Sequence, residues 1–206
     1  MGKEIYNKLG DYMINDNFIF DLDRQPTVHH FEDVIGEKSI LVAECKMNTP
    51  ENFPSKRNRE YFCIEDENYD GKKIEYKELD PSWNDCNYEW LYFLVYDNRI
   101  VKIGMTITTL KDRYSSYSCG TSRAMKKGSC STTNFIISEC NSLAVSKGMS
   151  VQIYGLPVKK EKKITERFGL REECVYSNVR EQETMLQKVF KNYYNEKPVL
   201  CVQLGK

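Results

Sequence analysis

Apolar and polar positions along this chain fall into segments whose periods differ. WLYFLVY (90–96) and IVKIGM (100–105) read as two strands, joined by the short hairpin loop Asp97-Asn98-Arg99. Thr109-Leu110-Lys111-Asp112 has the S/T-x-x-D/E form of a capping box, so a helix is predicted from there through Tyr117. The polar, basic stretch SCGTSRAMKKGSCSTTN reads as a loop. A second helix is predicted over 133–147, stopping at Gly148. MSVQIYGLPV (149–158) alternates like a third strand, KKEKKITERFGLREE reads as charged helix or loop, and VREQETMLQKVFKNYY (179–194) reads as an amphipathic helix. The predicted class is α+β: a small, mixed or antiparallel three-stranded sheet flanked by helices, over residues 90–206.

Residues 1–85 read differently, as an acidic, β-leaning accessory unit. KSILVAECKM (38–47) is a predicted strand, and REYFCIED and KKIEYKEL flank ENYDG as a predicted hairpin. LDPSWNDCNY (79–88) is rich in turn formers and is the candidate linker between the two units.

Charge adds to this division. The 206 residues carry no net charge, yet residues 1–100 hold 12 Lys and Arg against 21 Asp and Glu, a balance of −9. Residues 101–206 hold 18 against 9, a balance of +9. A basic half suits a phosphate-rich partner; the plainer reading is that the halves neutralise each other across an interface. The first twenty residues show no apolar secretion signal, and no apolar run in the chain is long enough to cross a membrane. The eight cysteines are scattered without a CxxC pair, which argues against a zinc finger and for reduced thiols in a cytoplasm.

Chemistry concentrates on the hairpin and on the helices C-terminal to it. With Tyr96 set opposite Ile100, one face carries Leu91, Phe93, Val95, Val101, Ile103 and Met105, the expected core. The other carries Tyr92, Leu94, Tyr96, Ile100, Lys102 and Gly104, with Gly104 opposite Tyr92 and Lys102 diagonal to it. A glycine there admits a ligand or another backbone. Arg113 and Tyr117 share a face of the next helix at i and i+4. On the last helix Val179, Leu186, Val189, Phe190 and Tyr193 form an apolar stripe, with Glu183 at its edge and Glu181 on the solvent face. A carboxylate at the edge of a core stripe requires donors or a cation.

Taken singly, each residue has a plain reading: a packed strand tyrosine, a surface lysine, a surface arginine, a helix glutamate. Arg123, Lys126 and Lys127 are candidate DNA contacts or a solvated loop. Thr133 and Asn134, in the run from Ser131, are candidate DNA contacts or part of a helix cap. His29-His30 with Glu32 fits no standard metal spacing and reads as surface.

Together the residues carry a family resemblance. Over residues 90–195 the chain resembles a GIY-YIG nuclease domain. Trp90-Leu91-Tyr92 stands where the family has Gly-Ile-Tyr, and Lys102-Ile103-Gly104 where it has Tyr-Ile-Gly. Arg113 matches the family's helix arginine and Glu183 its metal-binding glutamate. Trp90 and Lys102 depart from the motif, and the lysine form is similar to a subgroup of small Type II restriction endonucleases. The resemblance implies a restriction-type DNA endonuclease using Mg²⁺ or Mn²⁺ and no organic cofactor. It implies Tyr92 as general base, Lys102 as the charge beside it, Arg113 and Tyr117 on the phosphate, and Glu183 on the metal. Double-stranded DNA is the implied partner, and cutting both strands requires two copies, most simply a homodimer. The alternatives are an inactive DNA-binding protein on the same fold and a phage or mobile-element nicking nuclease.

Overall fold

A computed structural model describes residues 21–54 and 72–201. The arm REYFCIED of the N-terminal hairpin lies outside them. Helix α1 (Val28–Ile35) opens on Thr27, whose hydroxyl accepts the His30 amide, and ends on Gly36 in the left-handed region. Strands β1 (Ile40–Met47) and β2 (Ile74–Glu78) follow. The hairpin forms as β3 (Tyr88–Tyr96) and β4 (Arg99–Thr106). Its loop is shorter than expected: Asp97 and Asn98 alone turn the chain, both at positive φ, as a two-residue turn between twisted strands requires.

Thr109 caps α2 (Leu110–Ser118), accepting the Asp112 amide at 3.0 Å. The stretch expected as loop contains a short helix, α3 (Ser122–Lys126), capped by Thr121. Ser131 caps α4 (Thr132–Ser146), and β5 (Val151–Lys159) comes next. The charged stretch expected as helix or loop is instead a second hairpin, β6 (Glu161–Arg167) and β7 (Leu170–Tyr176), before helix α5 (Val179–Tyr194).

The antiparallel α+β class is as expected, but the sheet has five strands, ordered β2-β1-β5-β3-β4. β1 and β2, from the half expected as an accessory unit, are its outer strands on one side, and β1 pairs directly with β5. The expected linker does not separate two bodies. Pro81–Asn84 form a 3₁₀ turn that buries Trp83 among β1, β2 and α2 side chains.

Both faces of the sheet are covered by helices and buried side chains. Leu91, Phe93 and Val95 pack with Val28, Phe31, Val179, Leu186 and Phe190 beneath α1 and α5. Trp90, Tyr92, Leu94 and Tyr96 pack with Tyr114, Tyr117, Ile137 and Trp83 beneath α2 and α4. The β3–β4 register also shifts between Leu94 and Val95. Ile100 therefore joins the first face and Val101 the second, the reverse of the expectation, because a bulge puts two successive side chains on one side. Beyond the bulge the expected register holds: Tyr92 pairs with Gly104. On α5 the stripe ends differently from the sequence reading. Tyr193 is exposed, and Tyr194 packs against Phe31 and Phe190.

Glu32, in the pattern read as surface, is buried and holds the α1–β1 corner. It accepts from the Ser39 amide at 2.8 Å and hydroxyl at 2.6 Å, with His29 and Lys38 beside it. Among the described residues the seven cysteines are free, and no helix is long and apolar enough to cross a membrane.

Candidate active site

β4 is an edge strand of the sheet, and this position lets side chains from the two faces meet. Its edge is partly covered by backbone elsewhere: the Ile100 amide bonds Pro26, the Leu200 amide bonds Val101, and the Cys201 thiol bonds Ile103. Beside it opens a cleft of about 1170 Å³. Tyr92, Lys102, Arg113, Glu181 and Glu183 line it, with Thr133, Arg180, Gln187 and Lys197.

Tyr92 forms the floor and is fully buried. Its hydroxyl lies 2.6 Å from that of Tyr117, and Arg113 donates to it from Nε at 3.3 Å. The Arg113 guanidinium also stacks on the Tyr117 ring, 4.6 Å from its centroid. Gly104 is needed for this arrangement, because a Cβ there would run into Cζ and Oη of Tyr92. Tyr114, between Arg113 and Tyr117 in sequence, packs edge-on against both tyrosine rings, 5.2 Å from each. Its hydroxyl is buried with no hydrogen-bond partner among the described residues.

Electrostatics separate these groups. Burial acts against the charge of Arg113, but Tyr92 and Tyr117 outweigh it and hold the guanidinium above its ordinary value. Burial and neighbouring Tyr92 push the Tyr117 hydroxyl well up, against the pull of Arg113, so Tyr117 keeps its proton at neutral pH. Burial also pushes the Glu183 carboxyl up, opposed by Lys102, Arg113 and Arg180. Lys102 is 9 % exposed, a buried amine facing that carboxyl.

Glu183 comes from α5, which packs on the opposite sheet face from Tyr92, and it reaches the cleft around β4. Glu181, expected on the solvent face, is exposed and also lines the cleft. Of the five candidate DNA contacts only Thr133 lines it. Arg123, Lys126 and Lys127 are exposed on α3 and at its C-terminal cap, and Asn134 lies in the first turn of α4. The sequence reading missed Arg180, Gln187 and Lys197. Arg180 stands three residues before Glu183 on one helix, a spacing that signals a pair; Lys197 has no local signal.

A metal fits Glu183 with limits. The one hydrogen bond to its carboxylate among the described residues comes from Gln187 Nε2 at 3.3 Å. Among those residues no group of three or more His, Cys, Asp and Glu converges to hold a metal. A cation at Glu183 would therefore draw its remaining ligands from water and substrate, as Mg²⁺ does.

No family model and no curated protein matches the chain. Among solved structures, restriction endonuclease HPY188I in complex with product DNA is similar, at 23% identity and TM-score 0.50. The match covers 90% of this chain and 91% of that one. At this identity the likeness shows a shared fold. A mutant of bacteriophage T4 EndoII matches at 13% identity and TM-score 0.48, over 81% of this chain and 95% of that one.

Proposed function

We propose that this protein is a divalent-metal-dependent DNA endonuclease of the GIY-YIG type, acting in restriction. The observation that carries the reading is the meeting of Tyr92, Lys102, Arg113 and Glu183 in one cleft, with Tyr117 on the Tyr92 hydroxyl. These residues come from two strands and from helices on opposite faces of the sheet. Packing alone gives no reason for a buried amine, a half-buried arginine and a carboxylate to converge there. The shared fold with a restriction endonuclease supports the same reading.

Phosphodiester hydrolysis needs an activated water, charge stabilisation on the phosphate and help for the leaving oxygen. Tyr92 is the general base. Acting as the phenolate, it takes the proton of the attacking water, with Arg113 donating to its oxygen and the Tyr117 hydroxyl 2.6 Å away. Lys102 sets positive charge beside the attacking water. Arg113 turns toward a non-bridging phosphate oxygen when DNA enters, since a guanidinium bonds phosphate more strongly than a neutral phenol. Glu183 would hold the metal, and a bound Mg²⁺ would stabilise charge on the 3′ leaving oxygen. Arg123, Lys126, Lys127, Thr133 and Asn134, along α3 and the start of α4, contact the duplex on either side. One such site cuts one strand, so two copies act as a homodimer on a double-strand target. Free thiols fit a reducing cytoplasm.

The test is plasmid cleavage in Mg²⁺ and Mn²⁺ by wild type, Glu183→Ala and Glu181→Ala. The expected result is cleavage that only the Glu183 change abolishes. Binding without cleavage on every plasmid tried would replace this reading with an inactive DNA-binding module.

A further inference from the structure

The β6–β7 hairpin is the part of the chain that the core does not explain. Every residue of both strands is exposed. A two-stranded hairpin alone is marginal in water, and this one is held by cross-strand contacts of its own. Lys162 pairs with Glu173 at 2.6 Å, and the Lys163 ammonium sits 3.9 Å over the Tyr176 ring. Its root is tied to the rim of the cleft: Lys160 donates to the Cys86 carbonyl, and Ser177, which lines the cleft, donates to Glu89.

The tip carries the stronger signal. Arg167 pairs with Leu170, so the turn is Phe168-Gly169, both at positive φ. Asn-Gly is the sequence that such a turn prefers, and a bulky residue at positive φ is unfavourable. Phe168 is also 93 % exposed. A phenylalanine there is strained, and against the described residues it buries almost nothing. Leu170 beside it is exposed too. Arg167 and Arg171 flank the pair, and the Arg167 guanidinium lies 5.7 Å over the Phe168 ring. Glu166 stands across from Arg171 in the register, yet neither arginine forms an ion pair among the described residues.

We propose that this tip is a DNA-groove wedge: Phe168 enters between base steps while Arg167 and Arg171 hold the flanking phosphates. The inference rests on the endonuclease reading and extends it to a second contact outside the cleft. An apolar side chain framed by arginines matches a duplex, whose stacked bases are apolar and whose rim is anionic. A second copy matches less well, because paired tips would bring four arginines together. Seven residues per strand give a reach of about 24 Å, or about seven base pairs from the hairpin's root.

The test uses the full chain in EDTA with a 30-base-pair duplex carrying donor and acceptor dyes at its ends. Affinity is measured across a salt series, and bending from energy transfer. Phe168→Asn suits the turn, so its melting temperature is expected at or above wild type. Its affinity is expected to fall about tenfold, with the bend lost. Arg167→Gln with Arg171→Gln is expected to flatten the slope of log K against log salt by about 2. A Phe168→Asn protein that binds and bends DNA like wild type overturns the proposal. So does a variant that sediments as monomer where wild type is a dimer, which would make a second copy the occupant. A wild type that binds and bends DNA through Phe168 but never cuts in Mg²⁺ ends the endonuclease reading and leaves the wedge. A wild type that binds no duplex ends both.

Discussion

Two tyrosines of β3, four residues apart on one sheet face, have different surroundings. Tyr96 donates to Asn141 Oδ1 at 2.5 Å, and Asn141 Nδ2 donates to Tyr76 at 2.8 Å. That chain of groups starts on buried Tyr96 and Asn141, ends on the partly buried phenol of Tyr76, and lies away from the cleft. Tyr92 is equally buried, but its partners are a second phenol and an arginine, and its neighbours across the cleft are an amine and a carboxyl. A closed network of neutral groups specifies packing; a network ending on a cation at a cleft suits, under the proposed function, a ligand that brings negative charge. The same strand thus carries one tyrosine for the fold and, under the proposed function, one for the chemistry.

The largest effect that would break this contrast is on rate. Tyr92→Phe is expected to slow DNA cleavage by about 10²–10⁴, the usual weight of a general base, read in single-turnover assays. Gly104→Ala attacks the same phenol by steric means. The new Cβ has no room beside the Tyr92 ring, so about 1–3 kcal/mol of stability should be lost in urea melts, together with cleavage. Tyr96→Phe should cost about 1–3 kcal/mol as well, by leaving Asn141 without its donor. Cleavage by the folded protein should remain.

One half-buried and one buried glutamate give smaller effects of opposite sign. Burial raises the Glu183 carboxyl above its ordinary value, so the folded protein holds that proton more tightly than the unfolded chain. The charged carboxylate then costs stability at neutral pH, and the cost disappears once pH falls below the ordinary carboxylate value. Glu183→Gln should melt above wild type at pH 7, by about 2–4 °C for each kcal/mol relieved, and level with it in acid. Burial also opposes the charge of Glu32, but donors from Ser39, His29 and Lys38 outweigh it and hold that carboxyl below its ordinary value. Its stabilisation is complete above the unfolded value and is lost as pH falls through the lower folded one. Glu32→Gln should therefore melt below wild type at pH 7, and the gap should close in acid.

Local rules made much of this legible in sequence. The turn at Asp97-Asn98, the Thr109 cap and the Gly104–Tyr92 pairing arise from short-range chemistry. The sequence also marked Tyr92, Lys102, Arg113 and Glu183, which the fold brings to one cleft. The features that stayed hidden depend on partners distant in sequence. The cover over Tyr92 includes Tyr76 and Trp83, which pack on Tyr114, and a segment read as a linker gives no sign of becoming a lid. The bulge near Ile100 has no local marker, so the expected register fails between it and the turn and puts Ile100 and Val101 on the wrong faces. KKEKKITERFGLREE lacks a buried face in either period, and an exposed hairpin held by ion pairs therefore reads as helix or loop.

The most direct measurement sets Tyr92→Phe beside Tyr96→Phe, recording Mg²⁺-dependent plasmid cleavage and the melting curve on the same preparations. Tyr92→Phe is expected to stay folded and lose at least about 100-fold in rate, while Tyr96→Phe melts earlier and cuts like wild type. Equal cleavage by both variants, or losses in both that only track their melting temperatures, would contradict a catalytic Tyr92 and leave it as packing.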